Sequence, residues 1–271
     1  MNYNIKATSI IFFSLFIYLT ASANRNSGER IKIIEKPINA ASDIVPINDS
    51  LVIPFVYTSA ISLNNLPVVE KKQKFFDMML PAVLVAKEEL AILLQRVKSL
   101  SLKPELAPDE KSFIESLKVK YKANNIEMLK SRLHTFPVSI VLAQAAIESA
   151  WGTSRFFLDA NNPFGLWSFD PNQERIEASS TRNGTKVYLR KFNNLEEAID
   201  AYYTTLSTGG PFTDFRAERL KTSDPFILVN YLIDYSERRE AYVDEVKSVI
   251  KYNDLVKYDT YKIAPGHLNT N

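Results

Sequence analysis

One stretch constrains this chain more than any other. Directly after Pro137, the run from Val138 to Ala150 reads VSIVLAQAAIESA and is apolar on nearly every face. Proline suits the first turn of a helix, where its missing N–H is not needed and its φ is already helical. A helix that is apolar all round cannot lie on a surface, so other elements must enclose it. Gln144 and Glu148 are its two large polar side chains, and their spacing of four puts them on one face. Burying an unpaired carboxylate is costly, which gives Glu148 a reason to be there. It sits in the last turn, at the negative end of the helix dipole. Desolvation and dipole both push its pKa up, as a general acid at neutral pH requires. The plainer alternative is that Glu148 bonds neighbouring backbone and ties the next loop to the helix.

Composition narrows the chemistry that could accompany this carboxylate. The chain has 271 residues, no cysteine, two histidines (His134 and His267) and seven glycines. Disulfides, thiol nucleophiles and haem attachment through cysteines are excluded, and too few N or S ligands remain for a zinc site. No GxSxG elbow is present, and the glycines are too scattered for a phosphate-binding loop. Lys and Arg number 33 against 31 Asp and Glu, a net charge of +2 without basic blocks, which argues against a nucleic-acid partner. Carboxylate, Tyr, Lys and amide groups remain, and no metal or organic cofactor is implied.

Residues 1–23 read as an export signal. Lys6 supplies the positive start, Ser9 to Leu19 an apolar run of 11 residues, and Ala21-Ser22-Ala23 a cleavage site before Asn24. That run is shorter than the roughly 20 residues that span a bilayer, so no stable membrane span is expected after cleavage. Residues 24–69 read as a linker with extended pieces, interrupted by Pro37, Pro46, Pro54 and Pro67. Residues 70–258 read as one domain and 259–271 as a tail.

Within the domain, Phe75, Phe76, Met79, Val83, Leu84, Leu90 and Val97 recur at helical spacing, with a kink expected at Pro81. Asp109 is the expected N-cap of a second helix, and Ile126 to Leu133 forms a third. Asn161 to Trp167 reads as a loop, followed by two strands around the turn dipeptide Asn183-Gly184. Asn194 and Glu197 make a capping box for a helix to about Leu206. Asp224-Pro225 opens another, and the last runs from Glu240 to Tyr252. The expected class is mainly α (α+β), a single helical domain with a small β-hairpin lobe.

The block Ala145-Ala146-Ile147-Glu148-Ser149-Ala150-Trp151-Gly152-Thr153-Ser154, followed by Asn161-Asn162-Pro163-Phe164-Gly165, resembles the signature of bacterial peptidoglycan glucosaminidases, glycoside hydrolase family 73. From Lys71 to the final helix the chain is similar to the exported Bax-like branch of that family. The resemblance implies a lysozyme-like fold with Glu148 as catalytic acid. Trp151 and Gly152 would end the helix and shape the cleft, and Asn161, Asn162 and Phe164 would order the loop beneath the substrate. Gln144, Trp151, Asn161, Asn162, Phe164 and Tyr202 are the expected substrate-binding set. Trp151 and Phe164 have a plainer reading as core aromatics, Tyr202 as a half-buried core residue, and Asn161 and Asn162 as turn formers.

The chain departs from the family pattern at Ala150, where Gly is common, and at Pro163, where Leu is. Glycosidases of this kind commonly use a second carboxylate, as base or nucleophile. Glu177 is the candidate, with Glu174 beside it; the alternatives are an exposed strand carboxylate and assistance by the substrate's own acetamido group. Tyr235-Ser236-Glu237-Arg238-Arg239-Glu240-Ala241-Tyr242 resembles the family segment YATDP-x-Y, which makes Tyr235 a second catalytic candidate and leaves Tyr242 a packing role.

The activity implied is hydrolysis of the β-1,4 bond after N-acetylglucosamine in peptidoglycan glycan strands, in the periplasm or the cell wall. Cleavage of the neighbouring bond, by a muramidase or a lytic transglycosylase, is the alternative within the same class. Outside it stand a non-catalytic wall-binding module and a signal-anchored scaffold.

Overall fold

The computed structural model describes residues 31–182 and 184–268. The export signal and Asn183 of the expected turn lie outside the described residues. Three short strands come first: β1 (Ile34–Lys36), β2 (Leu51–Val52) and β3 (Phe55–Tyr57). The helices α1 (Val68–Leu100), α2 (Pro108–Lys120), α3 (Ile126–Leu133), α4 (Val138–Glu148) and α5 (Arg155–Ala160) follow. A hairpin of β4 (Arg175–Arg182) and β5 (Thr185–Arg190) precedes α6 (Leu195–Thr208), α7 (Thr213–Glu218), α8 (Pro225–Leu228), α9 (Glu240–Tyr252) and β6 (Lys262–Ile263). Helices dominate and the β4–β5 hairpin is present, as the sequence pattern implies; among the described residues two further two-stranded sheets, β1–β3 and β2–β6, join it.

The apolar helix α4 is enclosed as its sequence demands. Every residue from Val138 to Ala146 is buried, against α1, α9 and the 3-10 segment Leu255–Thr260. The 33-residue α1 is a second interior helix, buried at every position from Phe75 to Ala86. Pro81 lies within it and removes one backbone donor without ending the helix.

Helix starts follow local chemistry. The Asn125 side chain accepts from the Met128 N–H at 2.8 Å, and Asn194 does the same for Glu197 at 2.9 Å. The reciprocal half of the second box lands one residue early, since the Glu197 carboxylate accepts from the Asn193 N–H at 3.0 Å. Asp109 is not the cap of α2. Pro108 takes the first helical position, and Glu110 reaches back to the Ala107 N–H at 3.0 Å.

From Ile31 onward, the segment read as a linker is part of the core. Ile38, Ile44, Val56, Tyr57 and Leu63 are buried in the same apolar cluster as α1 and α4. Three contacts fasten it to α1: the Asp77 carboxylate accepts from the Ile47 N–H at 3.3 Å, the Lys74 ammonium donates to the Ile44 carbonyl at 2.9 Å, and the Lys71 ammonium donates to Asn64 Oδ1 at 2.8 Å. The described part of the stretch read as a tail, residues 259–268, is held likewise. β6 pairs in parallel with β2, β1 pairs in parallel with β3, and Ile263 is buried. Prolines prevented long strands here, but short apolar runs still removed enough surface from water to dock. At the hairpin, Arg182 pairs with Thr185, Gly184 has φ +76°, and the register shifts between Glu177 and Thr181.

Candidate active site

Three consecutive residues with left-handed backbone stop α4 at Glu148. Ala150, Trp151 and Gly152 have φ of +50°, +60° and +78°. Only glycine takes this conformation freely, and a Cβ on Gly152 would lie 3.1 Å from the Phe75 ring and 3.3 Å from Phe157. Ser149 secures the turn, its hydroxyl donating to the Ala145 carbonyl at 2.6 Å and accepting from the Gly152 N–H at 2.9 Å. Trp151 packs edge-on against Phe75 and Phe76, with the Lys72 ammonium 4.5 Å from its ring centre.

Glu148 is half-buried at the end of this helix. Burial pushes its pKa up first of all; a hydrogen bond from the Tyr242 hydroxyl and the charge of Arg238 pull it down, and Glu245 pushes it up again. Burial therefore makes the proton harder to lose than from a free glutamate, the direction a proton donor needs.

Beneath the carboxyl runs a chain of hydrogen bonds with a fixed direction. The Tyr202 hydroxyl donates to Gln144 Oε1, Gln144 Nε2 donates to the Tyr242 hydroxyl at 2.8 Å, and Tyr242 donates to Glu148. The Tyr235 ring stacks on Tyr242 at 5.4 Å with an angle of 8° between planes. Tyr235 is half-buried, and its hydroxyl is held well above its ordinary pKa by burial and by the charge of Glu148.

Several side chains expected to contact substrate are committed to contacts within the protein. Gln144 is fully buried with both ends of its amide taken. Tyr202 is fully buried and lies face to face with Phe164 at 4.1 Å and 16°, so neither ring offers its face to a sugar. Asn161, with φ +49°, donates to the carbonyls of Thr58 and Phe192, both at 3.0 Å. Asn162 donates to Leu166 and Arg190 carbonyls at 3.0 and 2.9 Å and accepts from the Leu166 N–H. These two amides fix the loop between α5 and the hairpin to its neighbours.

Tyr242 is the residue that sequence reasoning missed. It lies on the buried stripe Tyr242, Val243, Val246 and Ile250 of α9, where spacing reads as packing alone. The carboxylate of Glu177 stands on the hairpin, its side chain 47% exposed and paired with Lys186 at 3.1 Å. The Glu177 carbonyl accepts from Arg155 at 2.6 Å. Glu174 is exposed, and its carbonyl accepts from the Lys191 N–H at 2.9 Å. Among the described residues, no group of three or more His, Asp or Glu side chains is placed to hold a metal ion.

Residues 123–262, just over half of the chain, match the family model described as mannosyl-glycoprotein endo-beta-N-acetylglucosaminidase. Protein bax of Escherichia coli (strain K12) is 27% identical over 165 residues, which cover 58% of this chain and 57% of that protein. The exo-glucosaminidase LytG of Bacillus subtilis (strain 168) is 25% identical over 201 residues, 68% of this chain and 65% of that protein. The chain thus spans somewhat less than two thirds of either relative. Among solved structures, the catalytic domain of the autolysin Auto from Listeria monocytogenes aligns with a TM-score of 0.40 at 17% identity, covering 62% of this chain and 97% of that one.

Proposed function

This chain belongs to the mannosyl-glycoprotein endo-beta-N-acetylglucosaminidase family, and on that premise we propose that it is a peptidoglycan hydrolase cleaving the β-1,4 bond after N-acetylglucosamine. The observation that carries the reading is a half-buried carboxyl, Glu148, kept toward its protonated form by burial and aimed by a hydroxyl from another helix. Glu148 protonates the glycosidic oxygen as positive charge develops on the sugar ring. Its conjugate base then sits beside Tyr242, whose donated hydrogen bond stabilises the new charge. Tyr235, stacked on Tyr242 and facing Glu148, orients the attacking water or the sugar. Glu177 is the proposed second carboxylate.

The packing of residues 31–69 and 259–268 onto the core extends the proposed catalytic unit to both sides of the matched region. Among the described residues no helix is long and apolar enough to cross a membrane. We place the enzyme outside the cytoplasm, in the periplasm or cell wall, because its proposed substrate lies there and residues 1–23 read as an export signal.

A second reading, cleavage of the neighbouring bond by lytic transglycosylation, draws on the position of Glu177 on an exposed strand in an ion pair. Mass spectrometry of fragments released from purified peptidoglycan separates the two. N-Acetylglucosamine reducing ends, lost in Glu148→Gln, are the expected result. Muramic or anhydromuramic ends would move the activity to the other bond, and wall binding without release would make the domain a binding module.

A further inference from the structure

Two consecutive arginines precede α9, and each is ion-paired in a different direction. Arg239, with φ +51°, reaches back to Asp234 on the 3-10 segment that ends at Tyr235. Arg238 reaches forward to Glu245, one helical turn beyond Tyr242, with 2.6 Å between Nη1 and Oε2. The guanidinium centre of Arg238 lies 5.4 Å from the centre of the Tyr242 ring. Arg238, Tyr242 and Glu245 therefore share one face, with the residue that touches Glu148 in the middle.

We propose that the Arg238–Glu245 ion pair is a positioning device for Glu148: Glu245 holds the guanidinium over Tyr242 and offsets its charge, so that the acid faces a nearly neutral pair instead of a bare cation. The inference rests on the reading of Glu148 as the proton donor. Glu148 is faced by Tyr242 and Glu245 of α9, by Arg238 from the preceding turn, by Tyr235 from the 3-10 segment and by Tyr202 from α6. The three tyrosines are each held above their ordinary pKa and stay neutral. Among the described residues, Arg238 and Glu245 are thus the full charges that act on the acid, with opposite sign. Their side chains are 52% and 41% exposed, so solvent screens each one and the effects are moderate.

The sign of each substitution follows. Glu245→Gln removes a neighbouring negative charge and frees Arg238 to favour the ionised form of Glu148, so the proton is lost at lower pH. Arg238→Gln does the reverse. On the alkaline flank of the pH–rate profile, where the rate follows the protonated fraction, Glu245→Gln falls about threefold below wild type and Arg238→Gln rises by a similar factor. The double variant returns toward the wild-type flank. A purely structural pair would instead scale the whole profile, plateau and flank together.

The experiment is a carbon-13 NMR titration of the Glu148 carboxyl in the full chain, identified by its loss in Glu148→Gln and run beside the pH–rate profiles. Expected are a lower midpoint in Glu245→Gln, a higher one in Arg238→Gln and a value near wild type in the double variant. Arg238→Lys, which keeps the charge, should titrate like wild type and covers the case in which Arg238→Gln does not fold. Coincident midpoints in wild type, Glu245→Gln and the double variant would overturn the inference. Midpoints that move in a protein that releases no wall fragments keep it and overturn the proposed hydrolase instead.

Discussion

The Tyr242 hydroxyl accepts a hydrogen bond from Gln144 Nε2 at 2.8 Å and donates one to Glu148, so a residue on α9 joins the two large polar side chains of α4. Gln144 in turn accepts from Tyr202 on α6, which leaves its Nε2 pointing at Tyr242 and the Tyr242 proton pointing at the acid. Three helices thereby set the orientation of one carboxyl.

Tyr242→Phe keeps the ring stacked on Tyr235 and removes only the relay. Losing the hydrogen bond to the conjugate base should lower kcat/KM roughly tenfold, the worth of about 1–2 kcal/mol. Because that bond pulls the Glu148 pKa down, its loss moves the alkaline flank to higher pH. The buried Gln144 amide also loses its acceptor, at a cost of about 1–3 kcal/mol in a denaturant titration. An unchanged flank would show that Tyr242 does not act on Glu148.

Much of this architecture was legible beforehand, and the part that was not has a common cause. The burial of α4, the shared face of Gln144 and Glu148, the cap at Asn194 and the Gly184 turn are local properties, decided within a few residues. The Gln144–Tyr242 contact joins positions 98 residues apart, and a tyrosine on an apolar stripe looks the same whether its hydroxyl is idle or aimed at a carboxylate. The N-terminal segment misled for a similar reason. Its prolines signal irregular backbone correctly, yet Ile44, Val56 and Tyr57 dock on α1 through contacts that no local pattern encodes.

Glu148→Gln should abolish fragment release by a factor of about a hundred to ten thousand, the usual contribution of a positioned acid. It should also change stability in a pH-dependent way. The folded pKa of Glu148 lies above its ordinary 4.5, so the folded state holds the proton more tightly than the unfolded chain. The associated stability is fully present below the ordinary value and is lost as pH rises through the folded one. Glutamine keeps an acceptor for Tyr242 and never ionises. The Tm of Glu148→Gln should therefore gain on wild type as pH increases, and parallel Tm curves would contradict the assignment.

Gly152→Ala should cost about 1–3 kcal/mol, because the added Cβ meets Phe75 and Phe157 and the backbone stays left-handed at φ +78°. Ala150→Gly, two residues earlier at an exposed site with φ +50°, is the contrasting case. Relief of the left-handed strain there outweighs the added chain entropy, leaving the variant unchanged or stabilised by up to about 1 kcal/mol. Denaturant midpoints read both, and equal losses would show that the turn is not strained as described.

Glu177→Gln tests the second carboxylate. Its ion pair with Lys186 is exposed on both sides, with side chains 47% and 63% accessible, so removing it should leave stability within about 0.5 kcal/mol of wild type. If the carboxylate activates water, fragment release should fall about a hundredfold in Glu177→Gln. Lys186→Gln, which leaves the carboxylate in place, should retain most of the rate. The pair of variants separates charge at Glu177 from rigidity of the hairpin, since each breaks the same contact. A wild-type rate in Glu177→Gln would transfer water activation to the substrate's acetamido group, and anhydromuramic ends in its products would assign the bond to transglycosylation.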